Sequence, residues 1–375
     1  MRSRYKPSTR TFETIEPPGN GELLAVVIAM TVLVLAIGTA ADSVALLVGF
    51  MVFLPAAAAA LCTVRQTAFI CAWTAVAATL LTFVWGGNQG SILDRVLMSL
   101  LTVCLGIVSV YACVRRIERE QGMLRLRSTA GAMQRQILRP LPLVTQDVIV
   151  HGVYEPLQED RLVGGDIYDV VESPWGTRVL IGDVQGKGLA ALGAAFAVIG
   201  AFREAAHRES TLTALADVLD ASVVRHNSYA ARTGDDERFV TVLVAGIVAH
   251  DEVQVVNCGH VPPQLLHDGQ VSTPDLDVGV PLGLAALAGE PVTVSWFSFP
   301  AGATLVLSTD GLSETRAADG KFYPVDERLA AHADASPSAL PQALYDDARV
   351  FARQGDQQDD FAVLTVRRSP QGAAH

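Results

Sequence analysis

Four apolar stretches, at about 23–40, 44–62, 67–86 and 95–114, occupy the first third of the chain. Each is close to the ~20 residues a helix needs to cross a ~30 Å hydrocarbon core. The short connections between them hold the charges: Asp42, Arg65, and Asp94 with Arg95. A cleavable signal peptide would end after one short apolar segment, whereas three more follow here. A buried bundle in a soluble protein is the competing reading, and four successive spans of membrane length speak against it. An all-α four-helix transmembrane domain is therefore expected.

Basic residues orient it. Arg2, Arg4, Lys6 and Arg10 precede the first stretch, Arg65 lies in the second connection, and Arg115, Arg116 and Arg119 follow the fourth. The first and third connections carry Asp42 and Asp94. By the positive-inside rule both termini face the cytoplasm, which places a multi-pass protein in the plasma membrane with the bulk of its chain in the cytosol. No stretch has an ionisable residue at its centre, so a transport pathway is not indicated and the helices read as an anchor or sensor.

Charge divides the chain in the same place. Residues 1–140 carry 13 Lys and Arg against 7 Asp and Glu, the remainder 15 against 32, for a net charge of −11. The acidic back half argues against nucleic acid as the main partner, because binding a phosphate backbone needs a basic surface. The cysteines (Cys62, Cys71, Cys104, Cys113 and Cys258) form no C-x-x-C pair, which argues against a structural zinc or a disulfide scaffold. They read as small packing residues.

Residues 115–139 are rich in Arg, Glu, Gln, Met and Leu and lack proline until Pro140 and Pro142, so a helix leaving the membrane is expected there. Met123, Leu124, Leu126, Met133, Ile137 and Leu138 form a stripe that either lies on its own domain or pairs two chains as a homodimer. Beyond about 145, short β-like runs are expected at 147–153, 178–181, 239–248, 253–257, 263–266, 292–297, 304–307 and 361–366. Helices are expected at 189–208, 212–225 and 340–353. Hairpin-sized breaks such as His267-Asp268-Gly269 imply antiparallel pairing. Grouped rather than alternating elements give an α+β layered domain.

Acidic residues cluster at the ends of these runs. They stand in Gly164-Gly165-Asp166-Ile167-Tyr168-Asp169, in Gly182-Asp183-Val184-Gln185-Gly186-Lys187-Gly188, in Ser308-Thr309-Asp310-Gly311, and in Asp356-Gln357-Gln358-Asp359-Asp360. Each alone is an ordinary turn, cap or solvated loop. Together they suggest carboxylates brought to one sheet edge, where two like charges 4 Å apart repel by ~4 kcal/mol at an effective dielectric of ~20. Hard divalent cations with oxygen ligands would remove that penalty, and the lack of a His or Cys cluster favours Mg²⁺ or Mn²⁺ over Zn²⁺.

These segments, in this order, resemble the SpoIIE-type branch of the PP2C (PPM) metal-dependent protein serine/threonine phosphatases. The resemblance runs from about 131 to 368. It also takes in Gln134-Arg135-Gln136-Ile137-Leu138-Arg139-Pro140-Leu141-Pro142, Phe239-Val240-Thr241, Asn257-Cys258-Gly259-His260-Val261-Pro262-Pro263 and Pro281-Leu282-Gly283-Leu284. It implies a PPM-type α/β/β/α sandwich with two Mn²⁺ or Mg²⁺ ions at one end. Asp183 would bridge the ions with the Val184 carbonyl beside it, Asp310 and Asp359 would hold one ion, and Asp166 would serve the other. These residues would act through a metal-bridged hydroxide that attacks phosphoserine or phosphothreonine on a protein. The resemblance also implies a regulator of the anti-sigma-antagonist type, STAS-like, as substrate. The implied order is a basic tail (1–22), a four-span domain (23–114), a helical linker (115–142), a phosphatase domain (143–368) and a short tail (369–375).

The chain departs from the pattern at three places. Gln185 stands where eukaryotic relatives have a histidine, so no side chain is assigned as leaving-group acid; Ala362 stands where a threonine is frequent; and no arginine is assigned to grip phosphate, with Lys187 as a substitute or a plain surface lysine. His260 reads as ordering a turn. Gly164-Gly165-Asp166 continues into Ile167-Tyr168 rather than Glu-Phe, which argues against a nucleotide cyclase. The remaining alternative is a catalytically silent membrane receptor, a binding module on the same fold.

Overall fold

A computed structural model describes residues 19–40, 53–84, 91–156, 164–186, 189–248, 251–288, 291–352 and 360–368. Arg2, Arg4, Lys6, Arg10, Asp42, Lys187, Asp359 and half of the expected second span lie outside them. The chain divides into two compact units, Met1–Leu124 and Arg125–His375.

The first unit holds helices α1 (Asn20–Ala40), α2 (Phe53–Leu61), α3 (Val64–Val84) and the start of α4 (Ile92–Ile137). Among the described residues two segments are long and apolar enough to cross a membrane, Val64–Phe83 and Ile92–Met123, with mean hydropathies of 1.5 and 2.3. The nine residues described for α2 are too short to span. The guanidinium of Arg116 donates to the Ala60 carbonyl and, at 2.8 Å, to that of Cys62. It thereby satisfies carbonyls that the end of α2 leaves without intrahelical partners. The helix expected at 115–139 continues directly from the fourth apolar stretch. Residues 92–137 form one 46-residue helix, because the change from apolar to charged side chains near 115 brings no proline to stop the backbone.

The second unit is built on two sheets. One runs β1 (Leu143–Val144), β2 (Val148–Glu155), β12 (Phe361–Arg368), β11 (Thr304–Ser308), β7 (Gln264–His267), β8 (Gln270–Ser272). The other runs β10 (Ser295–Ser298), β6 (Glu252–Cys258), β5 (Val240–Ile247), β4 (Gly176–Val184), β3 (Asp166–Ser173), with β9 (Val278–Gly279) parallel to β6. All other pairings between these strands are antiparallel. The β7–β8 hairpin turns at Asp268 and Gly269, with φ of 48° and 74°, as the Asp-Gly pair requires.

Helices α5 (Leu189–Arg208) and α6 (Leu212–Thr233) cover the outer face of the second sheet, and α10 (Leu340–Phe351) covers the first. Three short helices, α7 (Ala285–Ala288), α8 (Asp310–Ser313) and α9 (Val325–Ala331), lie in the connections. Alternation along β12 shows how the sequence produces the layers. Ala362, Leu364 and Val366 enter the core between the sheets, while Phe361 and Val363 pack outward with Leu340 and Leu344 of α10. Each such fully buried side chain larger than alanine contributes about 1.5–3 kcal/mol relative to exposure.

β3 was not among the expected strands. Its first six residues, Asp166 to Val171, are all buried, so it has no apolar–polar alternation, and its two aspartates read as loop.

Candidate functional site

The antiparallel register of β3 and β4 makes Asp166 and Asp183 direct partners, and Asp183 is paired with Thr241 on its other side. Two carboxylates are thus placed at one edge of the second sheet. From the first sheet, β11 ends into α8 at Asp310, and Asp360 immediately precedes β12. Thr309 joins the two sheets at this edge. Its backbone N–H donates to the Ala362 carbonyl at 3.0 Å, its hydroxyl donates to Asp166 Oδ2 at 2.6 Å, and the Ala362 N–H donates to that hydroxyl oxygen at 3.1 Å. A threonine hydroxyl therefore serves this corner from position 309, although position 362 is alanine.

Asp166 is 1% exposed. Burial above all, then the negative charges of Asp183 and Asp360, and finally Asp310, hold its carboxyl well above the usual carboxylate range against the opposing Thr309 bond. Asp183 and Asp310, both expected from the sequence, are therefore within electrostatic reach of the expected Asp166. Asp359 lies outside the described residues. Its neighbour Asp360 enters the site instead as an acceptor, taking the Gly165 N–H on Oδ2 at 2.6 Å.

Two glycines make this crowding feasible. A Cβ on Gly164 would lie 2.6 Å from Asp360 Oδ2, and one on Gly165 would lie 2.6 Å from Asp183 Oδ1 and 2.8 Å from the Val184 carbonyl oxygen. Any larger residue would push the carboxylates apart. The same distances show that Asp183 Oδ1 and the Val184 carbonyl face one space. Among the described residues no three Asp, Glu, His or Cys side chains are closed around a single point. The donor chemistry nonetheless fits a hard divalent cation: carboxylate and carbonyl oxygens around a buried acid set beside further carboxylates.

Four neighbours were not legible in the sequence as site residues. Tyr154, whose hydroxyl burial and the Asp360 and Asp166 charges keep protonated, lies against Gly164. Thr309 bonds both Asp166 and Ala362. Arg238 extends its guanidinium along the loop after Asp183 and donates to the Gln185 carbonyl at 2.6 Å. Its backbone is held in both directions by Asn227, at 2.7 and 3.0 Å. Gln134 reaches Gly164 from α4. The position of Arg238 directly before Phe239-Val240-Thr241 is the one signal that could have flagged it.

His260 is 5% exposed and lies between the sheets. Its backbone N–H donates to Asn257 Oδ1 at 2.7 Å and its carbonyl accepts from Asn257 Nδ2 at 2.9 Å, while Nδ1 lies 3.0 Å from the Thr241 hydroxyl. Burial lowers its pKa to about 4, only partly offset by the Ser308 backbone. Native His260 is therefore neutral, whereas the unfolded residue titrates near 6.5. Protonation favours the unfolded state, so stability is full above about pH 6.5 and is lost as pH falls toward 4. The expected loss is about 3 kcal/mol. Chemical denaturation from pH 7.5 to 4.5 should show that slope in the wild type and its loss in His260→Gln. Equal slopes would contradict this account.

The model of the Stage II sporulation protein E (SpoIIE) family matches residues 173–369. No curated protein sequence matches the chain. Among solved structures, the SiaA-PP2C domain of Pseudomonas aeruginosa superposes with a TM-score of 0.55 at 16% identity, over 66% of this chain and 98% of that one. The RsbU and RsbW domains of Rv1364c from Mycobacterium tuberculosis give 0.48 at 22% identity, over 60% of this chain. The PP2C phosphatase domain and regulatory-domain fragment of SpoIIE from Bacillus subtilis give 0.48 at 20%, over 59%. The chain spans 62% and 63% of the lengths of those two. A family model covering more than half of the residues places the chain in the Stage II sporulation protein E (SpoIIE) family, on a PP2C-like two-sheet fold.

Proposed function

We propose that the chain is a membrane-anchored protein serine/threonine phosphatase dependent on Mn²⁺ or Mg²⁺. The carrying observation is the buried Asp166 set beside Asp183, Asp310 and Asp360, an arrangement of like charges that is costly without cations. Asp183, the Val184 carbonyl, Asp166, Asp310 and Asp359 would hold two cations. Such ions supply Lewis acidity toward a phosphoryl oxygen and lower the pKa of water at neutral pH. Thr309 fixes Asp166 in one orientation, and Arg238 offers a guanidinium for the substrate phosphate. The carboxamide of Gln185 is far too weak an acid to protonate a leaving group, so that proton comes from water.

The proposed substrate is phosphoserine or phosphothreonine on a small protein regulator of the anti-sigma-antagonist type, supported by the family assignment. The proposed anchor is four spans with both termini cytoplasmic. The apolar lengths of α3 and α4 support it, as do the apolar side chains that α4 leaves exposed, Leu100, Leu101, Ile107 and Val108 among them.

The test is phosphate release by the full chain in detergent micelles, from p-nitrophenyl phosphate and from a phosphoserine peptide, with Mn²⁺, Mg²⁺ or chelator. Turnover in Mn²⁺ that chelation abolishes is expected. Turnover surviving chelation would overturn the site. Tight Mn²⁺ binding without turnover would instead indicate the silent binding module.

A further inference from the structure

The last turn of α4 carries Gln134, 4% exposed, whose carboxamide closes on a single glycine. Its Oε1 accepts from the Gly164 N–H at 3.0 Å, and its Nε2 donates to the Gly164 carbonyl at 3.1 Å and to the Tyr154 hydroxyl oxygen at 2.8 Å. This is the two-way pairing a neighbouring strand would give, made here by one side chain. The next residue, Gly165, donates to Asp360, and the one after is Asp166.

The turn that carries Gln134 is itself fixed. Arg203 of α5 donates to the Ile137 carbonyl at 2.6 Å and to Asp169 Oδ2 at 2.5 Å, and Asp169 is fully buried on β3. Tyr168 donates to the Arg139 carbonyl at 2.9 Å. The end of α4 is thus tied to β3 at Gly164, two residues before Asp166, and again at Tyr168 and Asp169 just beyond it.

We propose that Gln134 is a positioning residue for the candidate site: it sets the Gly164–Gly165 backbone and through it the placement of Asp166 against Asp183 and Asp360. This inference rests on the phosphatase reading for its consequence and on the hydrogen bonds for its existence. A backbone without that clamp leaves Gly165 free to move by the few tenths of an ångström that separate a good ligand geometry from a poor one.

The experiment uses the full chain in micelles and the variant Gln134→Met, which keeps side-chain volume and removes all three bonds. Free Mn²⁺ measured by electron paramagnetic resonance is expected to show binding weakened roughly 10- to 100-fold, with a matching rise in the Mn²⁺ needed for half-maximal turnover. Leu344→Ala, in the outer core under the first sheet, is the stability control; it should lower the melting temperature and leave Mn²⁺ affinity unchanged. Hydrogen exchange at Gly164 to Asp166 reads the clamp with no metal or substrate, and should be about tenfold faster or more in Gln134→Met. Wild-type exchange there, or Mn²⁺ affinity within twofold of wild type, overturns the proposal, as does an equal loss of affinity in Leu344→Ala. Faster exchange in a protein whose wild type neither binds Mn²⁺ nor releases phosphate overturns the phosphatase reading and the positioning role with it, leaving only a structural clamp.

Discussion

Asp183→Asn is expected to lower kcat for phosphate release roughly a thousandfold or more, a loss of ~4 kcal/mol of transition-state stabilisation. The substitution keeps shape and one oxygen and removes charge. Asp183 is the side chain that the β3–β4 register sets opposite Asp166, and its Oδ1 shares a space with the Val184 carbonyl at Gly165. A neutral amide there gives up the electrostatic share of divalent-cation binding, which a carbonyl oxygen alone does not replace. Asp310→Asn, arriving from the other sheet, is expected to behave alike. Asp346→Asn, on the exposed side of α10 beside Gln342, should leave turnover unchanged. Steady-state rates across a Mn²⁺ titration, with melting curves to show that each variant folds, decide the matter. An Asp183→Asn enzyme within threefold of wild type would remove this aspartate from the site.

How much of this was legible beforehand depends on which force places each residue. Helix α5 was bounded at 189–208 from sequence, and all eight expected β-runs lie within a residue or two of a strand at one end or both, because those segments obey local periodicity. β3 escaped because a strand covered on both faces shows no period of two, and aspartates at its start and middle lower its apparent β-propensity. Within the site, Asp166, Asp183 and Asp310 were legible since each stands in a recognisable short motif. The partners that orient them were not. Thr309 reaches Asp166 across 143 residues of sequence, Asp360 reaches Gly165 across 195, and Gln134 reaches Gly164 across 30. Contacts of that range are set by sheet register and helix docking, which no local pattern encodes.

Asp166→Asn separates stability from function most sharply. In metal-free protein the buried Asp166 carboxyl has its pKa raised by burial and by Asp183, Asp360 and Asp310. An acid with a raised folded pKa contributes fully only below its unfolded pKa near 4, and that contribution is lost as pH rises through the folded value. At neutral pH the metal-free native state therefore carries a penalty that asparagine lacks, while asparagine can still accept the Thr309 hydroxyl. In chelator at pH 7.5 the variant is expected to be more stable by about 1–2 kcal/mol, or ~2–8 °C in melting temperature. Manganese should invert the order. At a hundred times its dissociation constant, a ligand stabilises the native state by ~2.7 kcal/mol, a gain the variant would largely forgo because it lacks the carboxylate. Melting curves of both proteins with chelator and with Mn²⁺ should thus cross. A variant less stable than wild type in chelator would mean that Asp166 is a satisfied structural acid, and an equal Mn²⁺ shift in both would mean that the ion sits elsewhere.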